Sequence, residues 1–284
     1  MKKGLVMEGG AMRGLFTAGV TDVFMENGIE FDGGIGTSAG AAFGCNYKSK
    51  QIGRALRYNK AYCDDKRYIS IRGLLRTGNL YSEDFCYHEI PESLDKFDWD
   101  TFKSNPMEFY VTCTNIETGL AVHHKYDSEL DDFNTFLEWI RASCAMPMVE
   151  QIVEIDGIRL LDGGVADSVP IKYFEEIGYD RNVVILTQPL DYVKKKIKYG
   201  PAAKAMYHGY PKLTEAMLDR HDRYNEIYGY IRDKELKGEL LVIRPEKSLN
   251  IKVSNKPDEL QRVYDIGKRT GLAEVERVKK YLEQ

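Results

Sequence analysis

Short apolar runs bounded by glycine or charge alternate with longer stretches of helical periodicity along the chain. The runs at 4–8, 33–36, 108–115, 119–124, 151–155, 158–161, 182–187 and 239–243 read as strands. Apolar residues recur at helical spacing over 14–27, 39–48, 50–63, 82–88, 131–144, 170–177, 210–236 and 257–282. In the first of these helices Leu15, Phe16, Val20, Val23 and Phe24 share a face, and in the last Leu260, Val263, Tyr264, Gly267, Val275, Val278 and Leu282 do so. Glu117-Thr118-Gly119 joins two strands as a hairpin. Strands alternating with helices predict an α/β fold of three layers, a mostly parallel sheet covered on both faces.

Three glycine-rich junctions interrupt this pattern. Gly36-Thr37-Ser38-Ala39-Gly40 follows a strand and opens a helix of small residues, so Ser38 sits on a sharp turn that holds its hydroxyl clear. Such a serine is either a nucleophile or part of an ordinary glycine turn. Upstream, Gly4-Leu5-Val6-Met7 runs into Glu8-Gly9-Gly10-Ala11-Met12-Arg13-Gly14 at the start of a helix. Free N–H groups there suit a phosphate or the oxyanion of an attacked ester. The spacing of Gly9, Gly10 and Gly14 fits neither a dinucleotide fingerprint nor a P-loop. Downstream, Leu160-Leu161-Asp162-Gly163-Gly164 puts a carboxylate at the carboxyl end of a strand, where open α/β sheets place ligands. An Asx turn is the alternative use of that aspartate.

Taken together and in this order, the three junctions resemble the patatin-like phospholipases, whose members carry a glycine-rich oxyanion loop, a G-x-S-x-G elbow and a later Asp-Gly-Gly or Asp-Gly-Ala. The resemblance covers most of residues 4–190, including Ile140-Arg141-Ala142-Ser143-Cys144-Ala145-Met146-Pro147, a small-residue helix end before the aspartate strand. It implies a patatin-like fold and a dyad of Ser38 as nucleophile and Asp162 as base. It also implies an oxyanion hole from Gly9, Gly10 and Ala11. Ala11 stands where the family usually has a third glycine, so the expectation is that it keeps a negative φ, with the N–H groups of Gly10 and Ala11 facing the oxyanion and Gly9 shaping the turn. Arg13 is expected to steady the loop, with contact to substrate as its second use. The competing reading is an α/β-hydrolase triad, which needs a histidine after the acid. His208 and His221 follow Asp162, but neither has a strand-end setting, and His88, His123 and His124 read as ordinary surface or strand-face residues.

Composition narrows the reading. The chain has 284 residues and a net charge of −4, which suits one large core and argues against nucleic-acid binding. Cys45, Cys63, Cys86, Cys113 and Cys144 form no C-x-x-C pair and read as reduced thiols. No metal-ligand cluster or cofactor motif stands out. The absence of a membrane-length apolar run or a signal-peptide pattern leads to an expected cytoplasmic location. From Tyr192 to Lys212 the chain carries Lys194, Lys195, Lys196, Lys198, Lys204 and Lys212 without an acid, among Tyr192, Tyr199, Tyr207 and Tyr210. This stretch is either a solvated loop or a peripheral contact to anionic lipid on the inner membrane face. The expected organisation is a catalytic domain over 1–190 and a helical extension over 191–284 packed on the same core. The function expected is acyl-lipid or ester hydrolysis through an acyl-enzyme. The alternative is a lipid- or anion-binding regulatory protein with little turnover.

Overall fold

The computed structural model describes residues 1–251, 253, 254 and 256–283. One sheet of eight strands forms its centre: β1 (Lys2–Met7), β2 (Gly33–Thr37), β3 (Glu108–Asn115), β4 (Ala121–Lys125), β5 (Val153–Ile155), β6 (Ile158–Asp162), β7 (Tyr179–Ile185) and β8 (Leu240–Ile243). The order is β5-β6-β3-β2-β1-β7-β8, with β4 on the other edge of β3. The pairs β3–β2, β2–β1, β1–β7 and β7–β8 are parallel, while β3–β4, β3–β6 and β5–β6 are antiparallel. Every residue of β2 and of β8 is buried, as expected of strands covered on both faces.

The helices are α1 (Gly14–Glu26), α2 (Ala39–Lys48), α3 (Arg54–Tyr62), α4 (Ile71–Thr77), α5 (Trp99–Ser104), α6 (Phe133–Cys144), α7 (Ile171–Glu176), α8 (Gly200–Met206), α9 (Pro211–Leu218), α10 (Arg220–Leu236) and α11 (Pro257–Leu282). All eight predicted strands form, with ends displaced by up to three residues. The sequence misses α4, α5 and α8, each of which is a turn or two long and buries two residues at most. The predicted helix over 210–236 is two helices that meet at Asp219. The predicted helix over 82–88 lies instead at Phe85–Leu94 and has the wider π winding, with Pro91 inside it. Proline lacks the N–H that a regular α ladder needs at that point.

Helix α1 is buried from Gly14 to Phe24, because the sheet lies on one side of it and α11 on the other. Small residues set that contact. A methyl group on Gly19 would come within 2.3 Å of the Tyr264 carbonyl oxygen, and one on Gly267 within 2.1 Å of the Phe16 carbonyl oxygen. Beside them the buried Asp22 accepts hydrogen bonds from Tyr264 Oη at 2.6 Å and from the Gly53 N–H at 2.8 Å. Burial pushes its carboxyl up to about 6. Residues of α11, among them Leu260, Val263 and Val278, join Leu5, Phe16 and Val23 in one apolar cluster.

Substituting Gly267→Ala should therefore force the two helices apart. We expect a stability loss of about 1–3 kcal/mol in urea denaturation, whereas Glu283→Ala, at an exposed position, should be neutral.

Candidate functional site

Strand β3 brings the site together. In its register with β2, Thr112 lies opposite Thr37, the last residue of β2. In its register with β6, the next residue, Cys113, lies opposite Asp162, the last residue of β6. Because β6 runs antiparallel to β3 and β2 parallel, the carboxyl ends of β2 and β6 point toward each other along one edge of β3. Ser38 and Asp162 meet at that junction, and Ser38 Oγ donates a 2.7 Å hydrogen bond to Asp162 Oδ2.

The turn holding Ser38 is as tight as the glycine spacing suggests. Ser38 takes φ +54° and ψ −124°, a strained conformation for a residue with a Cβ. A methyl on Gly36 would stand 2.4 Å from the Ala41 nitrogen, and one on Gly40 would stand 2.3 Å from the Met7 carbonyl oxygen, so α2 can start directly against β1 and β2 only with glycine at both places. Ser143, at the end of α6, ties the junction. Its hydroxyl donates to the Thr112 carbonyl oxygen at 2.6 Å and accepts from the Ser38 N–H at 2.8 Å. The Asp162 N–H reaches the Ala145 carbonyl oxygen at 2.8 Å, and the Gly164 N–H donates to Asp162 Oδ1 at 2.7 Å.

Asp162 is buried, and desolvation pushes its carboxyl above the ordinary carboxylate range. The positive charge of Arg220, the Ser38 hydroxyl and the Gly164 N–H oppose that rise. Among the described residues no histidine is hydrogen-bonded to Ser38 or Asp162. His123 pairs with Asp167 at 3.0 Å and stacks on Tyr173, His124 pairs with Asp131 at 2.8 Å and stacks on Trp139, and His221 lies against the Leu218 carbonyl oxygen.

The glycine loop stands over the same junction. A methyl on Gly9 would come 3.1 Å from Ser38 Cβ, and the Gly9 N–H reaches the Ser168 carbonyl oxygen at 3.4 Å. The N–H groups of Gly10 and Ala11 have no protein acceptor among the described residues. The expected negative φ at Ala11 is wrong: Ala11 takes φ +48°. Gly10 is extended at φ −177°, and the chain must reverse at once into the short helical turn Ala11–Arg13, closed by the Arg13 N–H on the Gly10 carbonyl oxygen at 3.1 Å. That reversal leaves Ala11 left-handed, at a cost of roughly 1–2 kcal/mol. Arg13 lies across Gly10, with Nε 3.3 Å from Thr187 Oγ1.

Two parts of the site escape the sequence reading. Glu8, fully buried, accepts hydrogen bonds from the Thr187 N–H and hydroxyl, from Tyr228 Oη at 2.9 Å and from Tyr224 Oη. Tyr224 and Tyr228 belong to α10, so the C-terminal segment braces the residue that starts the glycine loop. The signal was the spacing of Arg220, Tyr224 and Tyr228, four residues apart on one helix face. The second is an apolar cavity of about 130 Å³ with Ser38 in its wall. It is lined by Met12, Phe43, Tyr87, Ile90, Phe136 and Ile140, drawn from segments far apart in sequence.

The stretch Tyr192–Lys212 is not one surface. It contains α8; Tyr207 is buried, its hydroxyl accepting from the Met148 N–H at 2.8 Å, and Lys194 turns inward with Nζ 4.1 Å over the Tyr224 ring. Lys195, Lys196, Lys198 and Lys204 stay exposed, beside the exposed Val193, Tyr199 and Met206. Among the described residues no helix is long and apolar enough to cross a membrane. The five cysteines are unpaired.

The chain is similar to several known proteins. The profile of the patatin-like phospholipases matches residues 5–175, and that of a domain of unknown function, DUF6363, matches residues 210–283. The uncharacterized protein YjjU of Escherichia coli is 30% identical over 286 residues, spanning 94% of this chain and 75% of that protein. The lysophospholipase NTE1 of Saccharomyces cerevisiae is 29% identical over 174 residues, which span 59% of this chain and 10% of that much longer protein. The crystal structure of VipD from Legionella pneumophila superposes with a TM-score of 0.46 at 13% identity, over 96% of this chain and 66% of that one. With the glycine loop, the Ser38 elbow and Asp162 all inside the matched segment, this chain belongs to the patatin-like phospholipase family.

Proposed function

We propose that this protein is a serine lipid acyl hydrolase of the phospholipase A or esterase type, working through a Ser38–Asp162 dyad and an acyl-enzyme. The observation that carries the reading is the 2.7 Å hydrogen bond from Ser38 to a buried carboxylate, in the wall of an apolar cavity suited to an acyl chain. Asp162 takes the Ser38 proton as Oγ attacks the acyl carbonyl. The N–H groups of Gly10 and Ala11, left without acceptors among the described residues, face the tetrahedral oxyanion, while Gly9 keeps the loop against Ser38. Collapse expels the alcohol, which takes the proton from Asp162. Water, deprotonated by Asp162, then attacks the acyl-serine, and the released Ser38 oxygen recovers that proton. Histidine has no part in these steps. The role of Ser143 is to hold the Ser38 N–H and so the angle of the elbow.

The exposed lysines of 195–204, with Val193, Tyr199 and Met206, support peripheral contact with an anionic membrane, and the unpaired thiols suit a reducing, cytoplasmic compartment. The organisation we favour remains a catalytic region over 1–190 with 191–284 packed on it; Gln284 itself lies outside the described residues.

A fluorophosphonate probe should label the wild type at Ser38, lose labelling in Ser38→Ala and lose most of it in Asp162→Asn. A folded wild type that resists the probe and turns over no ester would instead favour a binding protein. Because burial raises the Asp162 pKa above its unfolded value, the ionised carboxylate costs stability above the folded pKa, and that cost disappears below the unfolded pKa. Asp162→Asn should therefore match or exceed the wild-type melting temperature at pH about 7, with the advantage fading as the pH falls toward the ordinary carboxylate range of about 4. Ser143→Ala leaves the buried Ser38 N–H and Thr112 carbonyl without their partner; we expect about 1–3 kcal/mol lost in denaturation and a larger fall in kcat than in KM. In sedimentation with vesicles, the protein should pellet with anionic and not with neutral lipid, and replacing Lys195, Lys196 and Lys198 with glutamine should remove the difference.

A further inference from the structure

Three cations surround the dyad, and their donors are largely unspent. The two carboxylates among them are already satisfied by other groups. Glu8 takes its hydrogen bonds from Thr187, Tyr224 and Tyr228, and Asp162 takes its own from Ser38 and Gly164. Arg13 makes one long hydrogen bond to Thr187. The guanidinium of Arg220 makes no hydrogen bond to the described residues, and its Nε is buried without a partner. Lys194 Nζ rests on the Tyr224 ring. None of the three forms an ion pair among the described residues.

Their placement is built, not incidental. A methyl on Gly164 would stand 2.9 Å from both Arg220 Nη2 and Asp162 Oδ1, which puts that guanidinium beside the base. A methyl on Gly10 would stand 3.0 Å from Arg13 Nη2, which puts Arg13 beside the glycine loop. Asn225 clamps the backbone of Lys194 from both sides, accepting from its N–H at 2.8 Å and donating to its carbonyl oxygen at 3.1 Å. Arg220, Tyr224 and Asn225 all lie on α10, so one helix positions two of the three charges. Partial burial and the nearby Arg220 push the Lys194 ammonium down to about 7. A bound anion would reverse that repulsion.

We propose that Arg220 and Lys194, together with Arg13, form an anion subsite beside Ser38 and Asp162 that takes the phosphate ester of an acyl lipid's head group. The proposal rests on the hydrolase reading and deepens it. Guanidinium forks match phosphate oxygens in geometry, and three cations around two satisfied carboxylates leave a net positive charge for the ligand to neutralise. The region matched by the domain of unknown function thus supplies, through Arg220 and the Asn225 clamp, the wall that reads the head group.

The test compares two monomeric substrates with the same acyl chain, hexanoyl glycerol phosphate and hexanoyl glycerol, in wild type, Lys194→Met, Lys194→Arg and Arg220→Gln, with inorganic phosphate as a separate probe in thermal shift. We expect kcat/KM to favour the phosphate ester in the wild type. Lys194→Met and Arg220→Gln should reduce that preference by roughly tenfold or more, mainly through KM, and Lys194→Arg should retain it. Equal use of both substrates, together with stabilisation by inorganic phosphate in wild type but not in Lys194→Met, would keep the anion subsite and identify free phosphate as its ligand. A preference absent from the wild type or unmoved by the variants, with no phosphate-dependent stabilisation, would overturn the subsite. Failure of the wild type to hydrolyse either ester or to react with fluorophosphonate would overturn the hydrolase reading alone, because the thermal shift still reports on the subsite. Melting of each variant without phosphate shows whether it folds.

Discussion

The register of β3 is the constraint on which the site depends. Thr112 faces the end of β2 and Cys113 the end of β6, so two strands of opposite sense finish against each other, and the residues at their ends share one point in space. A slip of one residue would turn every side chain of the strand to the other face of the sheet and separate Ser38 from Asp162. Ser143 reinforces the register at this point, because its hydroxyl joins the Thr112 carbonyl to the Ser38 N–H. Ser38, Asp162 and Ser143 are therefore set by backbone pairing, and their side chains have little freedom left to lose.

Around that junction the molecule stores strain and unfavourable charge. Ser38 and Ala11 both take positive φ, and Asp162 is buried with a raised pKa. Each costs stability on its own. The surrounding packing holds them: Gly36 and Gly40 let α2 close on the sheet, and the contact between α1 and α11 seals the far side of the core. Strain gathered at one junction and supported by an unstrained frame is the pattern expected of a preorganised site.

The C-terminal segment has a larger part than its position suggests. Helix α11 completes the cover of α1, and α10 sends Tyr224 and Tyr228 to the buried Glu8 at the root of the glycine loop. A carboxylate in that position needs several donors to stay buried, and hydroxyl groups provide them without adding charge. The cations nearby are thereby left with unspent donors.

Much of this was legible beforehand, for identifiable reasons. Apolar runs and helical periodicity report burial, so the long elements and all eight strands were readable, while α4, α5 and α8 bury too little to leave a pattern. The glycine spacing around Ser38 and the Asp-Gly-Gly after β6 are local demands of sharp turns, and local demands are written in adjacent residues. The sequence by itself thus determined the α/β layering, the elbow, the glycine loop and the strand-end aspartate. Tertiary structure alone decided that Ser38 and Asp162 share a hydrogen bond, that Ala11 turns left-handed, that Lys194 faces inward, and that Ser143, Glu8, Tyr224 and Arg220 gather around that pair. Apart from the local reversal at Ala11, those outcomes depend on register and packing between residues from 31 to 220 positions apart, and no local pattern encodes such a distance.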